Sequence, residues 1–330
     1  MKNTSIIIPT YKRIDYLVEI LNYFLHPENS IYLKEILICD SENSIELQQA
    51  LAEIQVQARG IFELQHLIIP NNISIKRNAG ILHSSSDFLI FLDDDCIPMG
   101  NFIEQHIQVL KLRKNCITNG KIFFDPDQIL NSNYIRYRNH RHQLFNVEEE
   151  LSFKEIVTMN MGVSRATLDA HGLLFDESFL GYGMEDNDFG YRAEQLGVHL
   201  ITSEASITHQ DHHTFDSFQK KIFHTARDGI TKFKEKSPEA VWEMKYSPYL
   251  ESDYPHDSNF LKLKAAILRK LLFGNIANVI ALILIKFDSY AWLHSSLLYR
   301  YVLAVRYHAG TRDRVNRYSS ITETQNSWFQ

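Results

Sequence analysis

The chain predicts an α/β fold: a mostly parallel sheet flanked by helices, followed by a C-terminal α-helical extension. Three observations carry this. From Ser5 to Leu92, short apolar runs that stop at polar clusters alternate with segments of helical period. Phe88-Leu89-Ile90-Phe91-Leu92 reads as a buried strand, and it runs straight into Asp93-Asp94-Asp95. From Asn259 onward, apolar helix is interleaved with Lys and Arg.

Taken in order, Ser5 to Ile8 is a strand ended by Pro9-Thr10. Arg13 to Phe24 is a helix with Leu17, Ile20, Leu21 and Phe24 on one face. Lys34 to Cys39 is a second strand, ending at the polar loop Asp40 to Ser44, where Ser44 can cap a helix over Ile45 to Ala58. Leu64 to Ile69 is a third strand stopped by Pro70-Asn71-Asn72, Ser74 to His83 a helix, and Phe88 to Leu92 the fourth strand. Strand and helix in this alternation give parallel pairing with right-handed crossovers. The strand ends at Pro9, Asp40 and Asp93 then share one edge, where open α/β sheets bind ligands.

Beyond Pro98, a helix over Asn101 to Arg113 precedes a strand over Thr118 to Phe124. Asp125 to Glu150 mixes Arg136, Arg138, His140, Arg141 and His142 with Tyr134 and Tyr137. It reads either as a solvated loop or surface helix, or as a mobile, positively charged flap over a phosphate. Met159 to Arg165 is a strand with a turn, and Glu185 opens a helix running to about Leu196. Val198 to Ile201 is another strand, and Phe215 to Phe233 a helix broken at Ser237-Pro238. Ser247-Pro248, Pro255 and Asp257 mark a linker.

The formal net charge is −6, which argues against broad nucleic-acid binding. Three cysteines, none in a C-x-x-C pair, fit a reducing compartment without a disulfide framework. Ile6-Ile7-Ile8 is too brief for a signal peptide's apolar region, and a cytoplasmic location is expected.

Three adjacent carboxylates repel, and burying them unpaired is costly. A divalent cation at the strand end relieves that; a solvated acidic turn is the plainer alternative. The first half has neither G-x-G-x-x-G nor G-x-x-x-x-G-K-[ST], so a bound diphosphate would have to be held by a metal. In Gly181-Tyr182-Gly183-Met184-Glu185-Asp186-Asn187-Asp188, acids at a helix start complement its dipole. A carboxylate there is also a candidate general base for a hydroxyl.

Together these motifs resemble one family. Ser5 to Arg13 (Ser-Ile-Ile-Ile-Pro-Thr-Tyr-Lys-Arg) is similar to the opening of family 2 glycosyltransferases of the GT-A fold. Lys76-Arg77-Asn78-Ala79-Gly80 resembles their A-R-N-x-G segment, and Phe91 to Asp95 their D-x-D motif. The stretch from Gly181 to Asp188 resembles the G-W-G-x-E-D-x-D segment of galactosyltransferase-like C-terminal halves, seen also in bacterial polysaccharide polymerases. The resemblance departs at the second strand, where Cys39-Asp40-Ser41-Glu42 stands for the usual D-D-G-S and Asp40 alone matches. Met184 stands where Trp or Gly is common.

The resemblance implies a GT-A-like mixed sheet whose Rossmann-like half binds a nucleotide. Residues 1–115 are then the nucleotide-sugar half, 116–236 the acceptor half, and 237–330 the linker and helical extension. It implies a metal-dependent inverting transferase moving sugar from a nucleotide-sugar, by family weight a UDP-sugar, to a glycan or lipid-linked acceptor in polysaccharide or glycoconjugate synthesis. Pro9, Thr10, Tyr11, Arg13, Asp40, Arg77, Asn78, Asp93 and Asp94 are the expected donor-side residues, with Asp94 structural in the main. Asp95 and His209, with Asp93, are the expected metal ligands, and His212 is the alternative histidine. The nitrogen donor favours Mn²⁺ over Mg²⁺. Asp186 is the expected base, with Glu185 sharing that role or binding acceptor hydroxyls. Tyr182, Gly183 and Met184 line the acceptor site. A retaining enzyme of the same fold, a nucleotidyltransferase and a non-catalytic sugar-binding or assembly subunit are the rivals.

The segment 260–307 has two readings: a helical cap or homo-oligomer contact, or a basic amphipathic surface resting on the inner face of a membrane.

Overall fold

In the computed structural model, residues 2–142, 149–210, 214–250 and 259–313 are described. The first half follows the predicted alternation: β1 (Thr4–Thr10), α1 (Ile14–Leu25), β2 (Leu33–Asp40), α2 (Ile45–Gln57), β3 (Glu63–Ile68), α3 (Ile73–His83) and β4 (Phe88–Leu92). Next come β5 (Cys96–Met99), α4 (Phe102–Leu112), β6 (Cys116–Phe124), α5 (Pro126–Asn131), α6 (Asn133–His142), β7 (Asn160–Ser164) and α7 (Arg165–His171). After α8 (Glu185–Gln195) and β8 (His199–His209), α9 (Phe215–His224) passes through a π-turn at Thr225–Ile230 into α10 (Thr231–Lys236). The chain closes with α11 (Pro238–Glu243), α12 (Asn259–Lys270), α13 (Gly274–Lys286) and α14 (Ser296–Arg312).

One eight-stranded sheet has the order β3-β2-β1-β4-β7-β6-β8-β5. β3, β2, β1 and β4 are parallel neighbours. β7 enters antiparallel to both β4 and β6, and β5 closes the far edge antiparallel to β8. The sheet is therefore mixed and mostly parallel at its nucleotide-type half. Ile6, Ile7 and Ile8 are fully buried because β1 is covered on both faces, which explains an unbroken apolar run rather than alternation. The Ser44 side chain accepts from Leu47 N at 3.2 Å and starts α2.

Two strands depart from expectation. β5 follows the acidic turn directly, where no strand was foreseen. β8 is a strand of 11 residues that continues past the expected end at Ile201 to His209, its polar middle carried over a register shift against β6. This pairing sets Cys96 opposite His209.

The flap reading of 125–150 fails for its described part. α5 and α6 are docked, with Tyr134 and Tyr137 buried. Tyr137 stacks on Tyr299 of α14 at 4.9 Å. Asp288 accepts from Ser132 Oγ at 2.6 Å and from Tyr134 N at 2.8 Å. Arg138 donates to Tyr134 Oη at 2.9 Å and lies 4.5 Å over Phe218. The Arg138 guanidinium is thus spent on packing. The core that holds Ile6, Ile90 and Phe102 also holds Ala277, Tyr299 and Val302.

Candidate active site

The C-terminal ends of β1 and β4, the start of α8 and the π-turn enclose a cleft of about 1160 Å³, its open mouth included. Pro9, Thr10, Tyr11, Arg13, Arg77, Asp93, Asp94, Asp95, Tyr182, Gly183, Glu185 and Asp186 all line it. Residues far apart in sequence thus meet in one place.

α3 delivers Lys76 and Arg77 because it lies hard against β1. A Cβ on Gly80 would fall 2.3 Å from the Ile7 side chain, so only glycine permits this approach. Lys76 Nζ donates to Thr10 O at 2.7 Å and Asn71 Oδ1 at 3.1 Å. Burial pulls its ammonium down to about 8, against the pull of Asp94 and Asp40.

Arg77 sits at the centre. Its buried guanidinium donates to Glu185 Oε1 at 3.2 Å, Asp186 Oδ1 at 2.9 Å and Asp93 Oδ1 at 3.3 Å. One cation therefore ties the strand-end acids to the helix-start acids. Burial opposes its charge, yet Asp186, Asp93 and Glu185 together hold it above the usual arginine range. The neighbouring Glu185 carboxyl is pushed up to about 7, by burial first and then by Asp186, against Arg77. Asp186 is better held: Thr158 donates to it from both Oγ1 (2.8 Å) and N (3.1 Å). Its side chain is also the more open of the pair, 22% against 10% exposed.

The three strand-end acids divide the work. Asp94 turns inward and accepts from Thr10 Oγ1 at 2.8 Å and Arg13 Nη1 at 3.1 Å. Burial raises its carboxyl to about 6 despite Arg13. Asp95 also binds Arg13, and lies 3.5 Å from His209 Nε2. Burial works against its charge, but His209 and then Arg13 hold it far below the usual carboxylate range. Asp93 is raised by burial, with Arg77 opposing.

Asp95, Cys96 and His209 bring their ligand atoms within 4.8 Å of one another. His209 presents Nε2 to Asp95, while its other nitrogen, Nδ1, is buried without a hydrogen-bond partner among the described residues. An imidazole nitrogen, Nε2, facing a carboxylate held ionised fits a divalent cation. Burial keeps the Cys96 thiol far above its usual pKa, so the thiol is a neutral neighbour. His212 lies outside the described residues.

Three expected contacts lie elsewhere. Asp40 is enclosed by its own loop, accepting from Ser41, Glu42 and Asn43 backbone N–H groups at 2.7, 3.1 and 2.6 Å. It shapes the loop after β2 and does not line the cleft. Asn78 is a latch: its Nδ2 donates to Phe175 O at 2.9 Å, and its Oδ1 accepts from Phe175 N at 2.8 Å. Met184 points into the core, where Tyr246 Oη donates to its sulfur at 3.2 Å. Its backbone takes φ +75°, a left-handed setting that starts α8. Tyr182 does line the cleft, under Lys221 Nζ 4.4 Å from its ring centre.

Sequence reasoning also missed residues. Lys221 and Asp228 reach the cleft from α9 and the π-turn, and Thr158 holds Asp186. Only Lys76 had a signal, being the residue before Arg77 in its motif. Asp188, third acid of its segment, is buried between Arg192 Nε (2.8 Å) and Lys236 Nζ (2.7 Å) and anchors α8.

A mixed sheet with an acidic turn after its fourth strand and an E-D pair across the cleft defines a GT-A glycosyltransferase. The chain belongs to glycosyl transferase family 2, whose model matches residues 5–171. Its fold is similar to that of the mannosyltransferase PcManGT from Pyrobaculum calidifontis, solved with GDP-Man and Mn²⁺. The TM-score is 0.57 at 12% identity, over 93% of this chain and 86% of that one. It is also similar to S. aureus TarS (TM-score 0.50, 12% identity, 94% of this chain), of whose length it spans 55%. GalNAc-T7, solved with UDP, GalNAc and Mn²⁺, matches at a TM-score of 0.51 and 13% identity, over 72% of this chain and 55% of that one. No curated protein sequence matches the chain significantly.

Proposed function

We propose that the enzyme moves a sugar from a nucleotide-sugar to a hydroxyl of a glycan or lipid-linked saccharide, inverting the anomeric carbon. The synthesis it serves is that of cell-surface polysaccharide or glycoconjugate. The observation that carries this is Arg77, which spans from Asp93 to the Glu185-Asp186 pair inside one cleft. One guanidinium thereby bridges the carboxylates read here as donor-side and acceptor-side.

In this reading Pro9, Thr10 and Tyr11 face the nucleoside, while Lys76, Arg13 and Arg77 set positive charge by the diphosphate. Asp186, the more open acid, takes the proton from the acceptor hydroxyl. The hydroxyl oxygen bonds to the anomeric carbon as the bond to the diphosphate oxygen breaks, and that oxygen keeps the electron pair. Glu185 holds a proton near neutral pH and donates to an acceptor oxygen. Tyr182 offers its ring face to a sugar. Asp95 and His209, with Asp93, would hold Mn²⁺ in preference to Mg²⁺, and the ion would neutralise charge on the departing diphosphate. A UDP donor is favoured; the UDP bound to GalNAc-T7 supports it, while the GDP-Man bound to PcManGT shows that this fold takes other nucleotides.

The test is product stereochemistry. Transfer from an α-linked nucleotide-sugar is expected to yield a β-linked product by NMR, and a retained configuration sinks the mechanism. Asp186→Asn is expected to keep donor binding and lose transfer; unchanged turnover removes Asp186 from the role.

A further inference from the structure

α12 and α13 carry an apolar surface that the fold leaves open. Of 25 exposed large apolar side chains among the described residues, 14 fall between Phe260 and Leu298. On α12, Phe260, Leu263, Ile267 and Leu271 recur at helical spacing on an open face, and Ala265 alone is buried. α13 is apolar on most of its surface, with Asn275 and Asn278 in its first two turns. Ala277, Ala281 and Leu284 are buried in the core, while Ile276, Val279 and Leu282 stand open on other sides. An apolar surface this wide is ordinarily covered by something apolar. Trp292, 79% exposed, extends the surface.

Charge selects what covers it. Residues 259–313 hold eight Lys and Arg against two Asp, in a chain whose formal net charge is −6. Lys262, Lys264, Lys270, Lys286 and Arg300 are exposed around the apolar face. Asp288, the one acid between Asn259 and Arg312, is turned inward onto Ser132 and Tyr134. A second copy of the chain would bring the same cations to the same face across a two-fold axis. Acidic headgroups would pair with them. No single helix is long and apolar enough to cross a membrane, and α12 and α13 meet at a 68° bend.

We propose that α12 and α13 lie in the interfacial plane of an anionic phospholipid bilayer, apolar chains entering the acyl boundary and lysines meeting the headgroups. This goes beyond the proposed reaction and does not depend on it. The surface is braced on the catalytic half. α14 follows α13 and packs on α9, which carries Lys221. A Cβ on Gly310 would meet Phe223 O at 2.3 Å, so the two helices touch backbone to backbone.

The experiment is vesicle co-sedimentation of the full chain, with phosphatidylglycerol–phosphatidylcholine vesicles set against pure phosphatidylcholine. The parent is expected to sediment with the anionic vesicles and to be released between about 0.1 M and about 0.5 M salt. A triple Lys262→Glu, Lys264→Glu, Lys270→Glu variant is expected to bind at least about tenfold more weakly. A triple Phe260→Ser, Leu263→Ser, Ile267→Ser variant is expected to lose binding while keeping the parent's circular dichroism and melting temperature. Failure of the parent to sediment overturns the proposal, as does binding by both variants equal to the parent's. A solution dimer that the serine variant dissolves, without vesicle binding by the parent, assigns the face to a second copy and overturns it too.

Discussion

Arg77 Nη1 lies 2.9 Å from Asp186 Oδ1, and the same nitrogen lies 3.2 Å from Glu185 Oε1. A buried cation shared among several acids is a structural necessity before it is anything catalytic. Arg77→Ala leaves those acids uncompensated and is expected to cost about 3–5 kcal/mol of stability. Denaturant unfolding checks this. Adding Glu185→Gln to that variant is expected to recover part of the loss.

Glu185 makes stability depend on pH. Its carboxyl rises from an ordinary 4.5 to about 7, so the folded protein holds that proton more tightly than the unfolded chain does. The contribution is complete below 4.5 and is lost as pH rises through 7. Glu185→Gln, which cannot ionise, is therefore expected to gain melting temperature relative to the parent at pH about 8 but not at about 4. Equal differences at both pH values would contradict an ionised, buried Glu185.

Thr158 acts on Asp186 by position. Thr158→Val keeps the backbone donor at 3.1 Å and removes the hydroxyl donor at 2.8 Å. It is expected to lower kcat about tenfold, the equivalent of one ordinary hydrogen bond, and to leave the donor KM unchanged. A change in donor KM alone would assign Thr158 to binding.

His209 Nε2 lies 3.5 Å from the Asp95 carboxylate. His209→Ala is expected to weaken Mn²⁺ binding at least about tenfold, read by electron paramagnetic resonance without nucleotide. Chelation is expected to lower the parent's melting temperature and to leave that of the variant unmoved.

Met184→Gly sets two effects against each other. Relief of the positive φ stabilises by about 1–2 kcal/mol. Emptying a buried methionine site costs about 2–5 kcal/mol. The variant is expected to be less stable, and a rise in its melting temperature would show that the backbone setting outweighs the packing.

The strands of the first half were legible because β1, β2 and β4 are buried on both faces and leave plain apolar runs. β5 was not: Cys96-Ile97-Pro98-Met99 is four residues long, contains a proline, and pairs only because β8 arrives from over a hundred residues away. Motif positions were legible as places, less so as directions. Asp40, Asn78 and Met184 stand at motif positions, yet Asp40 spends its side chain on its own loop and the other two on tertiary contacts outside the cleft. Whether a polar group faces a cleft or closes a loop is decided by neighbours that a linear pattern does not hold. Lys221, Asp228 and Thr158 were invisible for the same reason: each enters from an element whose approach is tertiary.

The core shared by Ile6 and Ile90 with Tyr299 and Val302 has a consequence for synthesis. The first half of the sheet leaves the ribosome with part of its covering still to be made. At about 5–20 residues per second, the roughly 200 residues from β4 to α14 take about 10–40 s to follow. During that interval the face that Tyr299 will close stays open to the cell. Completion of this core therefore waits for α14, and a nascent chain stalled before α14 is a natural client for chaperones.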